Sequence, residues 1–130
     1  MPILSSFTIL NFGHPLTSEQ IADIEKLTGQ RILNIINLST QMDLEADIFP
    51  QVESLLDSVP QDFNFERDPY IVNLPGLSFI AASVLACLHG HSGYFPPILR
   101  ILGKAPHHHH GPYSVFSIIE LQTFRTQSRI

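Results

Sequence analysis

Asn11-Phe12-Gly13-His14-Pro15-Leu16-Thr17-Ser18-Glu19-Gln20 is where the chain turns from one regular structure to another. Upstream, Ile3 to Phe12 is rich in β-branched and aromatic residues and reads as a strand. Downstream, Thr17 stands three residues before Gln20, the spacing at which a hydroxyl and an amide cap the first helical turn reciprocally. Leu16 and Ile21 flank that cap as a hydrophobic staple. Ile21, Ile24 and Leu27 then recur at helical spacing, and Gly29 supplies the positive-φ residue that ends a helix. The unit is a strand, a short polar loop and a helix.

The pattern repeats along the chain. Arg31 to Leu38 has few polar positions and predicts a second strand, buried on both faces. A helix is expected from about Phe49, with Pro50 in its first turn and Val52, Leu55, Leu56 and Val59 on one face. Pro60 to Asp68 reads as a loop and Tyr70 to Leu74 as a short third strand. Gly76 to Leu88 is apolar almost all round, as in a helix buried in the core or in a subunit contact, and Gly90 is the expected stop. Ile98 to Leu102 predicts a fourth strand, Gly103 to Pro112 a loop, and Tyr113 to Leu121 a final strand. Gln122 to Ile130 is a candidate helix. Strands alternating with helices predict one α/β domain over residues 1–130, Rossmann-like, with a mainly parallel sheet and helices on both faces.

Bulk properties narrow the function. A chain of 130 residues buries roughly two-thirds of its unfolded surface, enough for one core. A formal charge of −5 with seven Lys plus Arg argues against tracking a DNA duplex, though backbone N–H groups at a helix start still hold a small anion. Cys87 is the one cysteine and sits in an apolar run, so it reads as a core residue in a reducing cytoplasm. No apolar run approaches the roughly 20 residues of a membrane span. Neither a GxGxxG after the first strand nor a GxxxxGK[ST] occurs, which disfavours ordinary dinucleotide and P-loop binding. No cofactor is expected.

In open α/β sheets, ligands bind beyond the carboxyl ends of the strands. The expected site draws on Asn11, Phe12, Gly13, His14, Pro15 and Thr17 of the first loop, with Ser39, Thr40 and Gln41 after the second strand. Asn73, Pro75, Gly76 and Ser78 join them after the third. His89, Gly90, Gly93, Tyr94, Phe95 and Arg100 form a further cluster, in which the aromatics are suited to stacking on bases and the guanidinium to a phosphate. Each has a plainer role too: Thr17 as a cap, Gly90 as a helix stop, Tyr94 and Phe95 as core. The run His107 to His110 suggests metal at first sight, but consecutive loop residues cannot all face one ion, and no metal site is expected. Glu120 is an acid at an otherwise apolar strand position and is expected to pair with Arg100 or Arg125.

Asn11 to Gln20, Asn73-Leu74-Pro75, Leu88-His89-Gly90 through Gly93-Tyr94-Phe95-Pro96 with Arg100, and Glu120-Leu121-Gln122 with Arg125 together resemble a small CRISPR-associated ancillary family, Csx-fifteen. The resemblance spans nearly the whole chain. It implies a minimal domain akin to the CARF sensor fold, acting in type III CRISPR antiviral defence, with a cyclic oligoadenylate bound across a homodimer two-fold. The expected function is sequestration of cyclic tetra-adenylate, which lowers activation of the nucleases that the ligand switches on. Two alternatives stand beside it. One is a metal-independent ring nuclease that positions a ribose 2′-hydroxyl for attack, with His14 and His89 as the candidates for an imidazole acid or base. The other is a protein-interaction subunit that uses the Gly76 to Leu88 helix as its contact face.

Overall fold

The computed structural model describes residues 6–38, 41–103 and 113–129. Along the chain run β1 (Ser6–Asn11), α1 (Ser18–Thr28), β2 (Arg31–Asn37), α2 (Ile48–Asp57), β3 (Tyr70–Asn73), α3 (Ser78–Ser92), β4 (Ile98–Gly103), β5 (Tyr113–Ile119) and α4 (Leu121–Ser128). The strands form one sheet in the order β2-β1-β3-β4-β5. β2, β1, β3 and β4 pair in parallel and β5 lies antiparallel on β4. The architecture is α/β, with a mostly parallel five-stranded sheet, and is compatible with a Rossmann-like arrangement.

Alternation along the strands feeds two cores. Leu10, Phe12, Tyr70 and Val72 pack with Val52 and Leu56 of α2 and Ile80, Val84 and Leu88 of α3 on one face. Phe7, Ile9, Ile71, Leu99 and Val115 pack with Ile24 of α1 on the other. The chain steps from β1 outward to β2 through α1, then back across β1 to β3 through α2. That reversal of direction places the two crossovers on opposite faces.

The capping box forms: Thr17 Oγ1 accepts from the Gln20 N–H at 3.1 Å, and Gln20 Oε1 accepts from the Thr17 N–H at 3.0 Å. Gly29 closes α1 at φ 65°.

Four expectations change. β2 is an edge strand, not a strand covered on both faces, and Leu33 in it is 71% exposed. Its apolar residues split between the two cores, Ile36 on the α2/α3 side and Ile32 and Ile35 on the α1 side. α3 does not stop at Gly90. It continues to Ser92 and ends at Gly93, whose φ is 82° and whose N–H donates to His89 O at 2.7 Å. The extra turn is held by tertiary contacts: His91 Nε2 lies 3.0 Å and 3.1 Å from the two Glu53 oxygens on α2, and Ser92 Oγ hydrogen-bonds Tyr70 Oη. His89 and His91 are therefore helical, beyond the Gly76 to Leu88 span expected of this helix. Finally, β5 ends at Ile119, and Glu120 is an exposed residue leading into α4, not a strand acid in an apolar setting. The His107 to His110 run lies outside the described residues.

Candidate functional site

The carboxyl ends of β2, β1 and β3 each finish on an asparagine. Asn11 is in register with Asn37 on one side and with Asn73 on the other. Their side chains join into a chain of amides: Asn73 Nδ2 donates to Asn11 Oδ1 at 2.8 Å, and Asn11 Nδ2 donates to Asn37 Oδ1 at 2.9 Å. Asn11 also binds its own loop, accepting from Gly13 N–H and donating to His14 O, both at 3.0 Å. Asn11 is 1% exposed and Asn73 8%, whereas Asn37 is exposed at the sheet edge. A buried amide is tolerated when its groups are paired, and Asn11 uses both donors and both lone pairs.

This network sits where the strand order reverses about β1, the crevice at which open α/β sheets take ligands. It also dictates Gly13. A Cβ on that residue would lie 2.8 Å from Asn73 Nδ2 and 3.3 Å from Leu74 O. Above the crevice stand the starts of two helices with different chemistry. The first turn of α1 is occupied by its Thr17 box. α3 begins after exposed Gly76 and Leu77 with no side-chain cap and no acid in its first turn. Its leading N–H groups have no intrahelical partner and carry positive dipole character.

The sequence-derived residues divide into two groups. Asn11, Gly13, His14, Pro15, Thr17, Asn73, Pro75, Gly76 and Ser78 come together at the carboxyl end of the sheet. Of these, His14, Pro15, Thr17, Gly76 and Ser78 are exposed. Phe12 belongs to the same loop, but its side chain is 1% exposed and packs in the α2/α3 core. Gln41 follows β2 and is exposed; Ser39 and Thr40 lie outside the described residues. Asn37, the outer member of the network, was not among the expected residues. Its one sequence signal is that three strands in succession end in Asn.

His89, Gly90, Gly93, Tyr94 and Phe95 sit elsewhere. The 15 residues of α3 run about 22 Å back along the sheet, so these residues gather at the amino ends of the parallel strands. There the Tyr94 ring lies tilted 6.1 Å from Tyr70, and Tyr70 meets Phe63 edge-to-face at 5.7 Å. The His89 ring lies 4.3 Å from Phe95, whose N–H donates to Gln122 Oε1 of α4. Burial pushes the Tyr70 hydroxyl up to about 12 against the lowering effect of its Ser92 bond. These aromatics close the amino end of the core. Arg100 is on the outer face in mid-β4, where its guanidinium lies 4.7 Å from the Phe116 ring and its Nε donates to Ser117 Oγ. It reaches neither end, and it pairs with Ser117, not with Glu120.

The chain matches no protein-family model, no curated protein and no solved structure.

Two open clefts of about 480 and 420 Å³ also lie toward the amino ends, one lined by Thr8, Leu33, Pro60 and Phe63, the other by Phe7, Leu27, Tyr70 and Tyr94. Size alone does not make them the site. The first also carries Ser6, Asn34, Asp62 and Asp68, but neither lies at the strand-order reversal where the asparagine network stands. Cys87 is half-buried, and burial followed by the Glu53 carboxylate raises its thiol, which disfavours the nucleophilic thiolate. Among the described residues no group of three or more His, Cys, Asp or Glu could hold a metal ion, and no helix is long and apolar enough to cross a membrane.

Proposed function

We propose that this protein binds and sequesters cyclic tetra-adenylate in type III CRISPR antiviral defence, as a CARF-like homodimer that holds the ring at the asparagine crevice. The observation that carries the reading is the amide network at the strand-order reversal beside an uncapped α3 N-terminus. Anionic ligands need donors, and a chain with net charge −5 has few cations to give. Backbone N–H groups at a helix start supply donors without them. A four-membered ring on a two-fold brings two phosphates to each subunit, and identical loops then meet equivalent nucleotides. The likeness to the Csx-fifteen family points to the same ligand class.

The placement of the imidazoles favours holding the ring over cutting it. His14 is exposed at the carboxyl end, while the His89 ring lies tilted against Phe95 at the other end, so the two do not converge within a chain. The ring-nuclease alternative keeps His14 alone. The interaction-subunit reading draws on the outward side of α3, where Phe79 is 48% exposed.

Incubation of purified protein with radiolabelled cyclic tetra-adenylate tests the proposal, with a native gel for binding and chromatography for products. Retained, uncleaved ligand over hours at excess protein is the expected result. Linear products over many turnovers would make the protein a ring nuclease. No shift and no product would remove the ligand assignment.

A further inference from the structure

Asn11 lies between four partners, and two of them are backbone groups that admit one orientation of its amide. Its Oδ1 faces the Gly13 N–H, and its Nδ2 faces the His14 carbonyl. Rotated by half a turn, nitrogen would meet N–H and oxygen would meet oxygen. The orientation of Asn11 then sets its neighbours: Asn73 must donate through Nδ2, and Asn37 must accept through Oδ1. The chain of amides is directional, running Asn73 to Asn11 to Asn37. It ends on the Asn37 Nδ2, whose two protons meet no acceptor among the described residues. Hydrogen bonds in series polarise one another, so the terminal NH2 is a stronger donor than an isolated amide.

We infer that Asn37 is a specificity-determining residue that donates to a ring nitrogen of the ligand's adenine; this rests on the cyclic oligoadenylate reading above. Burial supports the assignment. Asn11 and Asn73 are enclosed and serve to aim the chain, and Asn37 is the exposed end. Among the described residues its Oδ1 accepts only from Asn11, so an adjacent exocyclic amino group can be accepted by the same side chain, the pairing asparagine makes with adenine. The side chain cannot rotate to offer oxygen in place of nitrogen without breaking its bond to Asn11. An edge that presents only donors is therefore rejected.

The test compares cyclic tetra-adenylate affinity in the full chain for wild type, Asn37→Ala, Asn37→Asp and Asn34→Ala, with melting temperatures alongside. Asn34 is an exposed asparagine on the same strand, away from the crevice. Asn37→Asp keeps an acceptor for Asn11 and so preserves the fold if the alanine variant does not. Both Asn37 variants are expected to bind about tenfold more weakly or worse, and Asn34→Ala within about twofold of wild type. In wild type, the Asn37 side-chain NH2 resonance, identified by its loss in the variants, should shift with adenosine and not with inorganic phosphate. A shift with phosphate alone overturns the base-reading role. Wild-type binding retained within about twofold by the Asn37 variants sinks the inference and leaves the ligand reading standing. No binding by wild type removes both.

Discussion

Replacing Gly13 by alanine tests whether the amide network is rigid. Gly13 does not have positive φ, so an alanine backbone fits there and the whole effect comes from the added methyl. That methyl would sit 2.8 Å from Asn73 Nδ2 and 3.3 Å from Leu74 O. A flexible side chain would swing aside at little cost. Asn73 cannot, because the residue is 8% exposed and its amide is held to Asn11 Oδ1 at 2.8 Å. Either that bond breaks, at about 1 kcal/mol, or the β3–α3 backbone shifts; together with ordinary overpacking the loss is about 1–3 kcal/mol. The stiffer unfolded chain returns about 0.4–1 kcal/mol, which does not reverse the sign. The net loss, about 0.5–2.5 kcal/mol, lowers Tm by roughly 2–10 °C. Urea denaturation of Gly13→Ala, Asn73→Ala and the double variant gives the coupling. Once the Asn73 amide is removed, the Gly13→Ala penalty should shrink by at least about 1 kcal/mol. A neutral or stabilising Gly13→Ala, or strictly additive variants, would refute the idea that Asn73 is pinned.

The two glycines at the end of α3 should respond in opposite directions to alanine. Neither Cβ would meet a neighbour within 4 Å, so only backbone conformation matters. Gly90→Ala lies within the helix and should stabilise by up to about 1 kcal/mol, whereas Gly93→Ala at φ 82° should cost about 1–2 kcal/mol. Chemical denaturation that gave both variants the same sign would contradict the observed helix end. Tyr70 makes the fold sensitive to alkali. Its folded pKa of about 12 lies above the ordinary 10.0, so the folded state holds the proton more tightly. The resulting stabilisation, up to about 3 kcal/mol, is complete below pH 10 and is lost as pH rises toward 12. Circular dichroism of thermal unfolding between pH 9 and 12 should show this slope, and Tyr70→Phe should flatten it; an unchanged slope in that variant would point to another group.

Much of the architecture was legible because it depends on near neighbours in the chain. The Thr17–Gln20 box joins residues three apart, and Gly29 lies one residue beyond α1. The apolar spacing of Val52, Leu56 and Val59 likewise named the buried side of α2 and its trailing turn. Half of the candidate site was visible for the same reason, since the first and third βα loops follow directly from their strands. The His89 to Phe95 cluster misled because composition records which residues are neighbours in sequence, and not the end of the sheet to which a helix carries them. Its glycines, aromatics and imidazoles resemble a ligand loop, yet they close a core through Tyr70, Phe63 and Glu53.

The sequence by itself determined the order of strands and helices, the capped start of α1, the class of fold and the loop at which a ligand would be sought. All of these rest on local hydrogen bonding and on the period of apolar residues. Only the tertiary structure decided that β2 is an edge, that α3 runs past Gly90, and that Asn11, Asn37 and Asn73 form one directional network. Those outcomes turn on pairings 22 to 62 residues apart, such as Tyr70 with Ser92, Asn11 with Asn37, Glu53 with His91 and Asn73 with Asn11. Residues that distant meet only after the sheet has assembled, and strand order and register are what bring them within hydrogen-bonding range.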